Sequence, residues 1–202
     1  MRQSYLALGC ALGLTALAVV GTERSASAHV FPCDFLTGGG YIFTTASNTH
    51  ALSKNNFAIG GGCKHGSPTW GHLEYHDHST GLNVHWIAIT AYLMEGEDTG
   101  VDPKTKQPIG VRMVCGTART NSAEWGDVDF VVRARDAGEP GVDDEFDIRL
   151  VKNGAIVYTT EYDPGPHQLG GGDGGGGNIQ LHKPNPSTTG EFGGSCPALA
   201  VS

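Results

Sequence analysis

An all-β fold, a single antiparallel β-sandwich, is what the sequence predicts, and three observations carry the prediction. Apolar and β-branched residues recur in short runs, several with a period of two, as expected of strands with one wet face. Glycine (31 residues) and proline (10) punctuate those runs at close intervals, marking turns. No segment shows a convincing amphipathic helical period, so strands must build the core. About nine short strands result, with no internal repeat.

Taken in order, Thr37-Gly38-Gly39-Gly40 precedes a short strand at 41–45. Another begins at 56–59 and is expected to stop at Gly60-Gly61-Gly62. In Gly71-His72-Leu73-Glu74-Tyr75-His76-Asp77-His78, a strand places His72, Glu74, His76 and His78 on one side and Leu73, Tyr75 and Asp77 on the other. Ser79-Thr80-Gly81 reads as a turn into a strand at 83–93, and 95–108 as a polar hairpin loop. Strands follow at 109–119 and 127–135, then a turn at 136–141. The favoured connection Asn153-Gly154 joins strands at 145–151 and 155–162. Residues 170–177 form a glycine-rich loop, and 178–182 a last strand.

The first 28 residues read as a cleavable signal peptide: Arg2, an apolar stretch from Tyr5 to Val20, and Ala26-Ser27-Ala28 as a small-residue cleavage site. The apolar stretch is shorter than the ~20 residues a spanning helix needs, so no membrane span is expected after cleavage. Residues 29–33 then form an N-terminal arm, 34–184 the sandwich, and 185–202 a flexible tail. The formal charge of −8 comes without a basic run, which argues against nucleic acid as a partner. Cys10 leaves with the leader. The even set Cys33, Cys63, Cys115 and Cys196 in an exported chain favours two disulfides in one of three pairings, with Cys33–Cys196 and Cys63–Cys115 expected. The localisation expected is secreted or extracellular, with the periplasm or cell surface as alternatives.

Several blocks recur in one order: Asp34-Phe35-Leu36-Thr37-Gly38-Gly39-Gly40, Gly71-His72-Leu73 with Asp77-His78, Asp136-Ala137-Gly138-Glu139-Pro140-Gly141 with Asp144-Glu145-Phe146, and Gly177-Asn178-Ile179-Gln180-Leu181-His182-Lys183-Pro184. Together, over residues 34–184, they resemble the secreted bacterial β-domains of the post-choice-of-anchor type. The resemblance implies an all-β extracytoplasmic accessory domain with no established enzymatic activity. The chain departs from that pattern at His76, where an apolar residue is usual, and at Trp86, where a small polar one is. A site relying on His76 is then peculiar to this chain.

The densest chemistry lies in the four imidazoles His72, His76, His78 and His85, which span fourteen residues and include Glu74 between them. Histidines at i and i+2 on a strand share a side, and a third from a neighbouring strand completes a zinc or copper site. The plainer reading is half-buried histidines bonded to backbone carbonyls or to Asp77. Neither the zinc-protease spacing nor the Pro-Cys-x-x-Cys of a deaminase is present. Asp136, Glu139, Asp143 and Asp144 sit on one turn and fit either calcium, through oxygen ligands, or the capping of turn amides. A histidine newly exposed at position 29 would chelate copper through its amine and ring. No Gly-x-Ser-x-Gly elbow exists for nucleophilic catalysis. Trp70, Trp86 and Trp125 either stack on sugars or pack in the core, the commoner fate.

The function expected is therefore a secreted or cell-surface accessory binding module without catalysis, with carbohydrate or a cell-envelope component as partner. The alternative is a zinc or copper protein centred on His72, His76, His78 and His85, or on His29.

Overall fold

A computed structural model describes residues 32–45, 52–161 and 166–197; the expected signal peptide and His29 lie outside them. The fold is all-β and antiparallel. Its strands are β1 (Phe35–Thr45), β2 (Leu52–Lys64), β3 (Ser67–Asp77), β4 (Leu82–Met94), β5 (Gly100–Val101), β6 (Pro108–Thr120), β7 (Asp127–Asp136), β8 (Glu145–Lys152), β9 (Ala155–Thr159), β10 (Gly177–His182) and β11 (Gly193–Gly194). They form one sheet in the order β10-β1-β2-β3-β4-β6-β7-β8-β9, with β5 on β6 and β11 on β4. No helix among the described residues is long and apolar enough to cross a membrane.

The sheet is a meander curled over its own inner face. Phe57 of β2 stacks on Phe146 of β8 with ring centroids 3.9 Å apart, so early strands face late ones as the layers of a sandwich do. Leu36, Ile42, Ile59, Leu73, Val114, Phe130, Ile148, Leu150 and Leu181 fill the space between, each essentially without exposure. The β8–β9 hairpin turns through Asn153 and Gly154, both at positive φ (54° and 79°), the conformation that makes Asn-Gly the favoured hairpin pair.

Two expectations about glycine are corrected. Gly38, Gly39 and Gly40 lie inside β1, and Gly60, Gly61 and Gly62 inside β2. These strands need bare backbone because neighbours press against it. A Cβ on Gly40 would lie 2.1 Å from the Gly176 carbonyl, and one on Gly61 would lie 2.7 Å from the Val114 side chain. Glycine in a strand here marks close approach, not an end.

The expected disulfides are also corrected. Cys33 bonds Cys63, and Cys115 bonds Cys196. Register explains both. Phe35 pairs with Gly62 across β1 and β2, which brings the residues just beyond, Cys33 and Cys63, to one end of the sheet. Ala91 of β4 pairs with Cys115 on one side and Gly194 of β11 on the other, so the chain leaving β11 passes beside Cys115. The segment expected as a flexible tail is thus fixed through residue 197. Thr188 is buried, and Phe192 packs against the core with its ring stacked on Tyr92 at 5.4 Å. Disulfides of this kind belong to an oxidising compartment.

Candidate functional site

The alternation read from β3 is realised. Leu73, Tyr75 and Asp77 are buried, while His72, Glu74 and His76 face outward. Register extends that outer face sideways: Asn56 of β2 opposes His76, and Ala58 opposes Glu74. From β4, Asn83 opposes His76 and His85 opposes Glu74. Ala58 is small, so these five longer side chains rim an open depression of about 200 Å³.

Within it, polar groups pair across strands. The ring Nδ1 of His85 meets a Glu74 carboxylate oxygen, and His76 Nδ1 meets Asn83 Oδ1. His78, just past the end of β3, reaches back so that its Nε2 lies 2.7 Å from Asn56 Oδ1. The His76 and His78 rings stand edge to face with centroids 4.2 Å apart. His72 does not join them. It lies four residues from His76 along an extended strand, roughly 13 Å away, with its ring over Gly60, where a Cβ would come within 2.8 Å of it. The structure therefore divides the four imidazoles into a group at His76, His78 and His85 and an isolated His72. Among the described residues no three or more His, Cys, Asp or Glu side chains are arranged to hold a metal ion.

Asp77 belongs to the interior instead. Its Oδ1 accepts hydrogen bonds from Ser79 N (2.8 Å) and Ser79 Oγ (2.7 Å), and its Oδ2 accepts one from Tyr158 OH at 3.1 Å. Burial pushes the Asp77 carboxyl up, but the hydrogen bonds from Ser79, Thr80 and Tyr158 outweigh it and hold the group below the usual carboxylate value. The Tyr158 hydroxyl in turn lies 2.7 Å from that of Tyr75. This buried chain fixes the end of β3 from which His78 projects.

The carboxylates of the 136–144 turn close the sheet. Strand β10 pairs with β1 on one side, and on its other side two of its amides donate to side chains: Leu181 N to Asp136 Oδ2 at 2.8 Å, and Ile179 N to Asp144 Oδ2 at 2.7 Å. The remaining oxygens accept from turn amides, Asp136 Oδ1 from Gly138 N and Asp144 Oδ1 from Ala137 N. Glu139 Oε1 accepts from Asn178 Nδ2 and Gln180 Nε2, and Asp143 Oδ1 accepts from Gln168 Nε2 at 3.4 Å. All four carboxylates thus have N–H donors: Asp136 and Asp144 cap turn amides, whereas Glu139 and Asp143 accept from side-chain amides of other segments. Burial, reinforced by the charges of Asp136 and Glu139, pushes Asp144 up to about 6 despite its hydrogen bonds from Ala137 and Ile179. Burial raises Asp136 in the same way.

The three tryptophans divide. Trp86 and Trp125 pack against the core. Trp70 is on the outer face, half-buried, with Lys64 Nζ 3.8 Å above its ring and Phe35 against it edge to face.

Reading the sequence for function missed the most deeply buried cation among the described residues. Arg112, 1% exposed, donates Nη2 to Asp34 Oδ2 at 2.5 Å and Nη1 to Asp98 Oδ1 at 2.7 Å. The Tyr92 hydroxyl donates to Asp34 Oδ1 at 2.7 Å. Burial pulls the guanidinium pKa down, yet the hydrogen bonds to Asp34 and Asp98 carry it above its ordinary value. A signal was present: Arg112 has the same parity as Val114 in β6, and so points inward.

Compared with known proteins, the chain matches no family model, no curated protein and no solved structure.

Proposed function

We propose that the chain is a secreted, non-catalytic binding module whose outer face on β2, β3 and β4 holds a hydroxyl-rich polymer such as a cell-envelope glycan. The observation that carries this reading is the open depression rimmed by Asn56, Glu74, His76, Asn83 and His85. Amides, a carboxylate and imidazoles both donate and accept hydrogen bonds, which suits sugar hydroxyls, and a few well-placed polar groups on a rigid frame are how ligand sites gain specificity. The two disulfides support an extracytoplasmic home. The resemblance to post-choice-of-anchor domains supports an accessory role without catalysis.

The test is retention of the purified protein on insoluble cell-envelope polysaccharides, together with a glycan array read in chelator. We expect selective binding that weakens about tenfold in Glu74→Ala and Asn83→Ala, each removing one hydrogen-bonded anchor worth about 1–1.5 kcal/mol. Absence of any retained glycan, or equal retention by both variants, overturns it.

A further inference from the structure

Three imidazoles on the outer face share one arrangement. His76 presents Nδ1 to Asn83 Oδ1, His78 presents Nε2 to Asn56 Oδ1, and His85 presents Nδ1 to Glu74. An amide oxygen or an ionised carboxylate only accepts, so in the neutral ring the nitrogen facing it carries the proton. For Asn83 the amide orientation is set independently, because its Nδ2 donates to Gly81 O at 3.3 Å. The opposite nitrogens, Nε2 of His76, Nδ1 of His78 and Nε2 of His85, are left with lone pairs. This is how metal-ligating histidines are held: one N–H anchored by an oxygen acceptor, the other nitrogen aimed outward as a base.

Distance selects two of the three. Two imidazoles on one ion, with metal–nitrogen bonds of about 2 Å, place their ring centroids about 4.5–5 Å apart. The His76 and His78 centroids are 4.2 Å apart with the rings edge to face, close to the separation that two ligands of one ion adopt. His85 stands diagonally across the strand pair from His76, about 7–8 Å away, and its ring is taken up by Glu74. Solvent reaches both rings, and water can complete the shell.

We infer that His76 and His78 chelate a divalent transition ion, copper(II) most tightly in the Irving–Williams order and zinc less so. Asn83 and Asn56 fix the two ring tautomers. The inference uses part of the surface assigned to the glycan but rests on ring geometry alone. Glycan retention measured in chelator and copper binding measured without glycan therefore succeed or fail separately.

The experiment is a copper(II) titration of the full chain, followed by calorimetry and by electron paramagnetic resonance, with zinc as a second ion. One saturable equivalent with nitrogen hyperfine coupling is expected. His76→Ala and His78→Ala each abolish it, Asn83→Ala weakens it about tenfold as loss of an orienting partner does, and His85→Ala and His72→Ala leave it within about twofold. Comparing each variant with the parent on the same N-terminus cancels any copper held by His29. In the unmodified protein, paramagnetic broadening must reach the His76 and His78 ring protons before those of His65, His72 or His85, so a poorly folding variant leaves the inference testable. Unchanged affinity in both His76→Ala and His78→Ala, or broadening that begins elsewhere, overturns it.

Discussion

Two regions of the sheet, one inside and one outside, carry polar side chains under opposite rules. Near the Cys33–Cys63 bridge, Asp34, Tyr92 and Arg112 lie inside, each at most 3% exposed, with bonds that satisfy one another. On the outside, His85 and Glu74 pair with side chains 67% and 51% exposed. The inner set is bound to the fold because removing one member strands a charge away from water. The outer set, exposed to water, costs the fold little. The difference teaches where to look for function: not where ionisable groups are most perturbed, but where their removal is tolerated.

The sharpest way to break this contrast is Arg112→Ala, which leaves Asp34 buried and uncompensated. We expect about 3–5 kcal/mol of destabilisation in urea denaturation; a loss under 1 kcal/mol would erase the distinction. Replacing Cys115 and Cys196 together by serine should cost on the order of 2–5 kcal/mol, read from the same curves. It should also release the strap over β4 while leaving the histidine face intact.

A pH series sharpens the contrast next. Asp144 is raised to about 6, so the folded chain holds its proton more tightly than the unfolded one. Its contribution is fully present below the unfolded value near pH 4 and is lost as pH rises through about 6. Asp77 is lowered and Asp102, held by hydrogen bonds from the Thr105 and Glu139 amides, is lowered to about 2. Their contributions are present above pH 4 and are lost as pH falls through the folded values. His182, lowered by burial, adds stability as pH rises toward its unfolded value, so the Asp144 contribution is read as a difference: from pH 4 to pH 7 the urea midpoint of the parent should fall relative to that of Asp144→Asn. A difference between the two proteins that stays constant or grows in the parent's favour across the interval would contradict the assignment. Smallest of all, Glu74→Ala and His76→Ala should each shift stability by no more than about 0.5 kcal/mol in thermal melts.

Much of this architecture is legible in the sequence because its signals are local. The two-residue alternation of 72–77 sets the faces of β3, and Asn153-Gly154 specifies its hairpin from two residues alone. What escaped depends on residues distant in the chain. Gly40 and Gly61 look like breaks until Gly176 and Val114 are brought against them. The disulfide partners follow from which strands are neighbours, and β11, the element that carries Cys196 to Cys115, is a two-residue pairing with no pattern to detect. For the histidine face, the shared side of Glu74 and His76 could be read directly, whereas the pairing with Asn56, Asn83 and His85 needed the register of three strands. His72, on the correct face by parity, is removed from the group by distance along the strand.

The carboxylates that meet β10 have a bearing on solubility. A bare strand margin offers a row of main-chain donors and acceptors to any passing chain, and so seeds polymerisation. Here the inward-leaning amides of Ile179 and Leu181 are already taken by Asp144 and Asp136. An incoming strand would have to displace two acids to dock, so the turn that seals the sheet also keeps neighbouring molecules apart.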